Sequence, residues 1–104
     1  MGRPGYRAST LTIMTVDHFD PTPKHLQIAA IVREQIRAGE LEPMTPIPSE
    51  SRMEQIHGVA RDTARKAVRL LASEGWVFTI ASRGTFVSPR DRWPEWQGPS
   101  DPTP

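Results

Sequence analysis

The stretch from Pro48 to Ser88 constrains the fold of this chain more than any other part of it. A short helix opened by Ser49, a turn at Gly58, a longer helix ended by Gly75 and a hairpin loop containing Gly84 follow one another with almost no spare residues. Each break carries a residue suited to it, since Ser accepts from free N–H groups at a helix start and Gly takes the left-handed backbone at a helix end. In the longer helix Arg61, Arg65 and Arg69 recur at every fourth position, and Ala64, Ala67, Val68 and Leu71 form the opposite, apolar stripe. One face must pack while the other stays cationic.

Composition narrows the classes open to such a chain. Its 104 residues are expected to make one domain and leave no room for a large ligand-binding unit. The formal net charge of +1 points to no partner by itself, so the basic signal is local: Arg61, Arg65, Lys66 and Arg69 face a single acid, Asp62, between residues 61 and 69. There is no cysteine, which removes disulfides, thiolate catalysis and cysteine-ligated zinc together. No apolar run approaches the roughly 20 residues of a membrane span, and Met1-Gly2 lacks the Ser or Thr of a myristoylation motif, having Tyr6 instead. A cytoplasmic protein without membrane attachment is expected.

Along the chain, residues 1–22 read as a flexible N-terminal segment whose one apolar patch runs from Leu11 to Val16, and Met14 offers an alternative start. Thr22 as N-cap and Pro23 at the first helical position open a helix carrying Leu26, Ile28, Ala29, Val32 and Ile36, closed at Gly39. A proline-containing link, residues 40–48, leads to the Ser49 helix, with Met53 and Ile56 facing inward. The arginine-bearing helix spans Ala60 to Glu74. Two β-branched and aromatic stretches, Trp76 to Ile80 and Thr85 to Ser88, flank a loop from Ala81 to Gly84. Residues 89–104 form a Pro-rich tail, expected to be disordered, that carries Trp93 and Trp96.

These elements predict a mainly α fold with a small β-hairpin wing: three helices plus a two-stranded antiparallel sheet, a winged helix-turn-helix over residues 23–88. A helix with a buried back and an arginine front, presented after a tight turn, suits a DNA major groove. Arginine is apt there because its planar fork pairs bidentately with guanine O6 and N7 or with phosphate. Arg61, at the exposed N-terminal end, is assigned to base readout; Arg65 one turn on reads a base or holds phosphate, and Thr63 donates to phosphate. Ser49 and the free N–H groups of its helix form a phosphate seat. Gly84 lets the wing backbone approach a duplex, and Arg83 suits a narrow minor groove.

The order and spacing of several fragments resemble the winged-helix DNA-binding domain of GntR-type bacterial transcription regulators. The likeness covers Pro23 to Ser88: Gln27-Ile28-Ala29, Gly39 with Leu41 and Pro43, Pro48-Ser49-Glu50, Gly58-Val59, Arg61 with Thr63 and Arg65, Leu71, Glu74-Gly75, and Arg83-Gly84-Thr85-Phe86-Val87. The resemblance implies a sequence-specific regulator, a repressor, with the helix from Ala60 in the major groove and the wing tip Ser82 to Gly84 at the minor groove. It also implies a second-helix contact at Ser51 or Arg52, where the family has a basic residue directly after the Glu and this chain has Ser51 followed by Arg52. Ala60 stands where a hydroxyl residue is usual, and Ser82 where the wing usually has Gly. The chain looks like a small stand-alone member, so no small-molecule effector is expected.

Competing chemistries find little support in the residues. An arginine face can be a solvated surface with intrahelical pairs, as for Arg65 or Arg69 with an acid one turn away. His18, His25 and His57 are scattered without metal-ligand spacing, and the carboxylate pairs Glu40 with Glu42 and Asp91 with Glu95 lie in link or tail. No catalytic residue, metal or cofactor is expected. Trp93 and Trp96 either dock back, meet a partner or stay exposed, which keeps open a protein-interaction adaptor as the alternative function. A single module of this size makes a small DNA interface. A monomer or weak homodimer that pairs cooperatively on double-stranded DNA is therefore expected, tethered by Leu11 to Val16 or by the Trp93–Trp96 tail.

Overall fold

The structure, a computed structural model, describes residues 15–96. Three helices, α1 (Lys24–Arg37), α2 (Glu50–His57) and α3 (Arg61–Glu74), precede a hairpin of β1 (Val77–Ile80) and β2 (Gly84–Val87), and one 3-10 turn follows at Arg90–Arg92. This is the three-helix, two-stranded architecture expected from the pattern. Helix α3 lies at the centre, packing on α1, α2 and β1. Its Ala64, Ala67 and Leu71 have no exposed surface, and they meet Ile28, Ala29, Val32 and Ile36 of α1, Met53 of α2, and Trp76, Val77 and Val87 around the hairpin in one core. Val68 is half-buried at the edge of that stripe.

Two apolar assignments shift. Leu26 is 40% exposed because it sits two residues, about 200° of helical rotation, from Ile28 at the centre of the α1 stripe, and Ile31 is buried instead. On α2 the inward pair is Met53 and His57, one turn apart, which leaves Ile56 at the margin and 39% exposed.

The start of α1 also moves by one residue. Pro23 occupies the cap position and no side chain caps from there, so Thr22 is not the N-cap. The Gln27 carboxamide instead ties the preceding segment to the helix: its nitrogen donates to the carbonyls of Thr22 (2.9 Å) and Asp17 (3.2 Å), and its oxygen accepts from the Asp17 N–H (2.8 Å). Residues 15–22, read as flexible, are stitched down by these bonds. Val16 is a core residue at 6% exposure, its N–H donating to Nδ1 of His57 (3.2 Å), while His18 Nε2 lies 2.9 Å from the His57 carbonyl. The Leu11 to Met14 part of the apolar patch, and with it the alternative start at Met14, lies outside the described residues.

The other helix ends follow their residues. Ser49 Oγ accepts from the Arg52 N–H at 3.1 Å, and Gly58 closes α2 with φ +64°. At the end of α3 the Gly75 N–H reaches the Ala72 carbonyl and the Trp76 N–H reaches Leu71, the paired bonds of a Schellman ending. Ala60 precedes α3 without a side-chain cap bond.

The hairpin register pairs Val77 with Val87 and Ile80 with Gly84, leaving Ala81 to Arg83 as the loop, so Gly84 is the first residue of β2 and not part of the turn. The link before α2 is more than a spacer. Met44 and Ile47 donate to the carbonyls of Val87 and Thr85, and Val87 donates back to Thr45, so this segment covers the outer edge of β2.

Past the hairpin, the first part of the tail is ordered, contrary to the disorder read from its composition. Trp93 packs on Trp76 with ring centroids 5.5 Å apart, and its indole N–H donates to the Ser88 carbonyl at 2.9 Å. The Arg37 guanidinium lies 5.3 Å from the Trp76 ring centre and pairs with Glu95. Trp96 remains 41% exposed. Residues 97–104 lie outside the described residues.

Gly75 is where this docking and the helix ending meet. Its φ of +96° disfavours any side chain, and a Cβ there would lie 2.7 Å from the Arg92 carbonyl oxygen. Gly39, at φ +85°, has open space around the same position. Gly75→Ala should therefore cost more than about 2 kcal/mol, against about 1 kcal/mol for Gly39→Ala, in urea unfolding of the two variants. Equal losses would show that the tail yields freely.

His57 supplies a second expectation. Burial holds its imidazole below the ordinary value, and accepting from Val16 requires an unprotonated Nδ1. The unfolded chain takes up a proton as pH falls below about 6.5 while the folded chain resists it, so stability is complete above that pH and declines below it. The urea midpoint should fall between pH ~7.5 and ~5.5, and His57→Phe should flatten the part of that decline due to this group.

Candidate nucleic-acid interface

The N-terminal ends of α2 and α3 open on the same side of the molecule as the wing. Between them lies a cleft of about 610 Å³ bordered by Ser49, Ser51, Arg61, Arg83 and Gly84. Five of the residues singled out from the sequence are thus gathered around one groove by three separate elements. Arg52, Thr63 and Arg65 do not border it. Arg52 is exposed on α2; Thr63 is half-buried beside Ala64, and Arg65 lies one turn along α3 from Arg61.

The cleft is polar for definite reasons. Because Ser49 caps only the Arg52 N–H, and Met53 bonds back to the Ser49 carbonyl, the N–H groups of Glu50 and Ser51 have no acceptor within the helix. They add the partial positive charge of a helix start to that wall. Arg83 stands on the wing loop, exposed, and its N–H closes the turn onto the Ile80 carbonyl at 2.9 Å. The turn uses left-handed backbone at Ser82 (φ +68°), a conformation that a glycine takes more readily. Gly84, at φ +112°, keeps the wing backbone bare, with nothing within 4 Å of where a Cβ would stand.

The arginines of α3 are partnered in a way the linear pattern does not show. Arg61 Nε donates to Glu54 Oε2 at 3.2 Å, with its Nη2 3.5 Å from Ser51 Oγ, and Arg65 faces Glu50 at 3.6 Å. Only Lys66 with Asp62, at 3.6 Å, is an ion pair within α3. Glu50 and Glu54 are one turn apart on α2, as Arg61 and Arg65 are on α3. The two helices therefore make a two-rung ladder across the Gly58 turn. The four-residue spacing on both helices was the signal in the sequence, but only the packing of α2 against α3 joins the rungs. Exposed pairs of this kind contribute roughly 0–1 kcal/mol each, so they leave the cations open to a stronger anionic partner.

The three histidines make no shared site. His18 and His57 are adjacent through a backbone carbonyl, and among the described residues no group of three or more metal-ligating side chains occurs. No described helix is long and apolar enough to cross a membrane.

With this geometry, comparison with known proteins is decisive. Residues 24–87 match the family described as bacterial regulatory proteins, gntR family. The chain belongs to the GntR family. It is 39% identical over 75 residues to the HTH-type transcriptional repressor NagR of Bacillus subtilis, covering 72% of this chain and 31% of that protein. It is 42% identical over 65 residues to the mannosyl-D-glycerate transport/metabolism system repressor MngR of Escherichia coli, covering 62% of this chain and 27% of that one. The chain thus spans about a third or less of the curated relatives it matches. Among solved structures it resembles YtrA from Sulfolobus acidocaldarius, a GntR-family transcription factor, with a TM-score of 0.68 and 32% identity over 74% of this chain and 81% of that one. It also resembles the AraR DNA-binding domain in complex with operator ORX1, with a TM-score of 0.63 and 34% identity over 70% of this chain and 87% of that one. The family and these relatives are regulators, not enzymes. Nothing among them favours a protein adaptor, and Trp93, one of the aromatic anchors behind that alternative, is committed to Trp76.

The cap at the cleft can be tested on its own. Ser49→Ala should lower stability by about 1 kcal/mol by freeing the Arg52 N–H, as read from the urea midpoint, with Ser49→Thr close to the parent.

Proposed function

We propose that this chain binds double-stranded DNA sequence-specifically and regulates transcription as a repressor. The observation that carries the reading is the single cleft bordered by the α2 start, Arg61 at the exposed start of α3, and Arg83 on the wing. A duplex laid against it meets α3 along its major groove and the wing at the adjacent minor groove. The AraR DNA-binding domain, a structural relative, is in complex with operator DNA, which supports DNA as the partner.

In this reading Arg61 reads a base and Arg65 a base or a phosphate. Thr63, Arg52 and Ser51 hold phosphates along the helix pair, and the Ser49 helix start seats another. Arg83 enters the minor groove, with Gly84 permitting close backbone approach. Two copies pair on adjacent half-sites, because one module offers under about 1,000 Å² to DNA. Val16 and Trp93 are spent within the fold, so they do not supply the tether foreseen for them. Such a module acts in the cytoplasm, where its DNA lies.

The test begins with a cognate duplex selected from a random pool by the pure protein. Affinity should fall with salt by about 0.9 in log K per log unit for each phosphate neutralised. Arg61→Ala should lose roughly 1–3 kcal/mol on the selected duplex and little on random DNA. Arg83→Ala should weaken both and reduce the salt slope by about one. Salt-independent affinity would refute the DNA reading, and an equal loss on random DNA would make Arg61 a phosphate holder.

A further inference from the structure

Of the two α2 carboxylates that face the α3 arginines, Glu50 borders the cleft itself, and Glu54 stands behind it, paired with the bordering Arg61. Their geometry is unequal. Glu50 approaches Arg65 only to 3.6 Å, a loose charge contact without a hydrogen bond, whereas Glu54 accepts a hydrogen bond from Arg61 at 3.2 Å through a defined atom, Nε. The Arg61 side chain is 56% exposed and that of Glu54 32%, so the arginine projects while its anchor is the more sheltered partner.

Which nitrogen is engaged matters for recognition. A guanidinium offers two donor pairs, a side-on pair through Nε and one Nη, and an end-on pair through both Nη groups. Glu54 occupies Nε, and Ser51 Oγ lies at the long distance of 3.5 Å from Nη2; Nη1 has no partner among the described residues. The side-on pair is engaged by Glu54 and Ser51, which leaves the Nη1 donors and one N–H of Nη2 for an end-on contact. Two parallel N–H groups in that contact match guanine O6 and N7.

Resting on the reading of Arg61 as a base contact, we propose that Glu54 is a positioning residue that sets base selectivity. By holding Nε across the Gly58 turn it presents Arg61 end-on to a guanine and keeps the guanidinium from swinging onto a phosphate. Its negative charge simultaneously weakens attachment to any duplex, since it opposes the phosphates that supply sequence-independent affinity. Glu54 thus exchanges overall affinity for discrimination. Stability is not its role, as exposed pairs add little.

The test compares the full chain with Glu54→Ala, Glu54→Gln and Arg61→Ala on three duplexes: the selected one, the same duplex with the Arg61-dependent G·C pair changed to A·T, and a random one. Fluorescence anisotropy at fixed salt reads affinities, and thermal melting confirms that each variant is folded. Arg61→Ala should lower the G·C to A·T preference by about 5- to 150-fold. Glu54→Ala should tighten binding to random DNA yet lower that preference on the order of 3- to 10-fold. Glu54→Gln, whose side-chain oxygen still accepts from Nε, should also tighten random binding while keeping the preference. If Glu54→Ala strengthens all three duplexes equally, or Glu54→Gln loses the preference as fully as Glu54→Ala, the positioning role is overturned while Arg61 readout stands. A preference untouched by Arg61→Ala would overturn both.

Discussion

Everything in this fold depends on how closely α3 can be buried while its other face stays free. Ala64 and Ala67 have no exposed surface, and their small side chains let the backbone of α3 come near α1, with Leu71 filling the space one turn beyond. A larger residue at either alanine would push the helix outward and open the seam against Ile28 and Val32, which tight protein packing does not absorb. The same rotation that buries those residues points Arg61 and Arg65 away from the core. Packing therefore aims the cationic face, and the site inherits its orientation from the core.

The second organising element is the corner at Trp76. A Schellman ending turns the chain at Gly75, the indole enters the core, and Trp93 returns to stack against it from the segment after the wing. Arg37 lies over the Trp76 ring and pairs with Glu95, whose carboxyl it holds below the usual range by a hydrogen bond. Because Glu95 is exposed, that contact is a clasp and the aromatic packing is the main fastening. At the opposite end Val16 and His57 perform a matching task, holding the approach to α1 against the turn between α2 and α3. The helices and wing are thus braced on both sides, which fixes the cleft between them.

Charge on the cleft face is balanced more finely than a count of arginines implies. Glu54 and Glu50 meet Arg61 and Arg65, and Asp62 meets Lys66, so much of the positive charge is paired before any ligand arrives. The pairs are exposed and weak, and a phosphate or a base edge can displace or share them. Attraction from Arg83 and from the α2 start remains unpaired among the described residues, so sequence-independent affinity and selective contact are borne by different groups around one cleft.

The local elements were legible in the sequence because each was written in short-range chemistry. Ser49, Gly58, Gly39 and Gly75 marked helix ends, the alanine–leucine stripe marked the buried side of α3, and the β-branched hairpin around residues 81–84 marked the wing. The residues bordering the cleft were nameable for the same reason: arginine at a helix start and on a wing, and serine at a cap, declare their chemistry singly. What tertiary structure alone decided were the long-range choices. These are the exposure of Leu26 and Ile56, the bonds from Gln27 to Asp17 and Thr22, the burial of Val16 and His57, the return of Trp93, and the carboxylates facing Arg61 and Arg65. Each of these depends on where distant segments meet in space, and periodicity along a chain specifies which face of an element packs but not which residue it will find there.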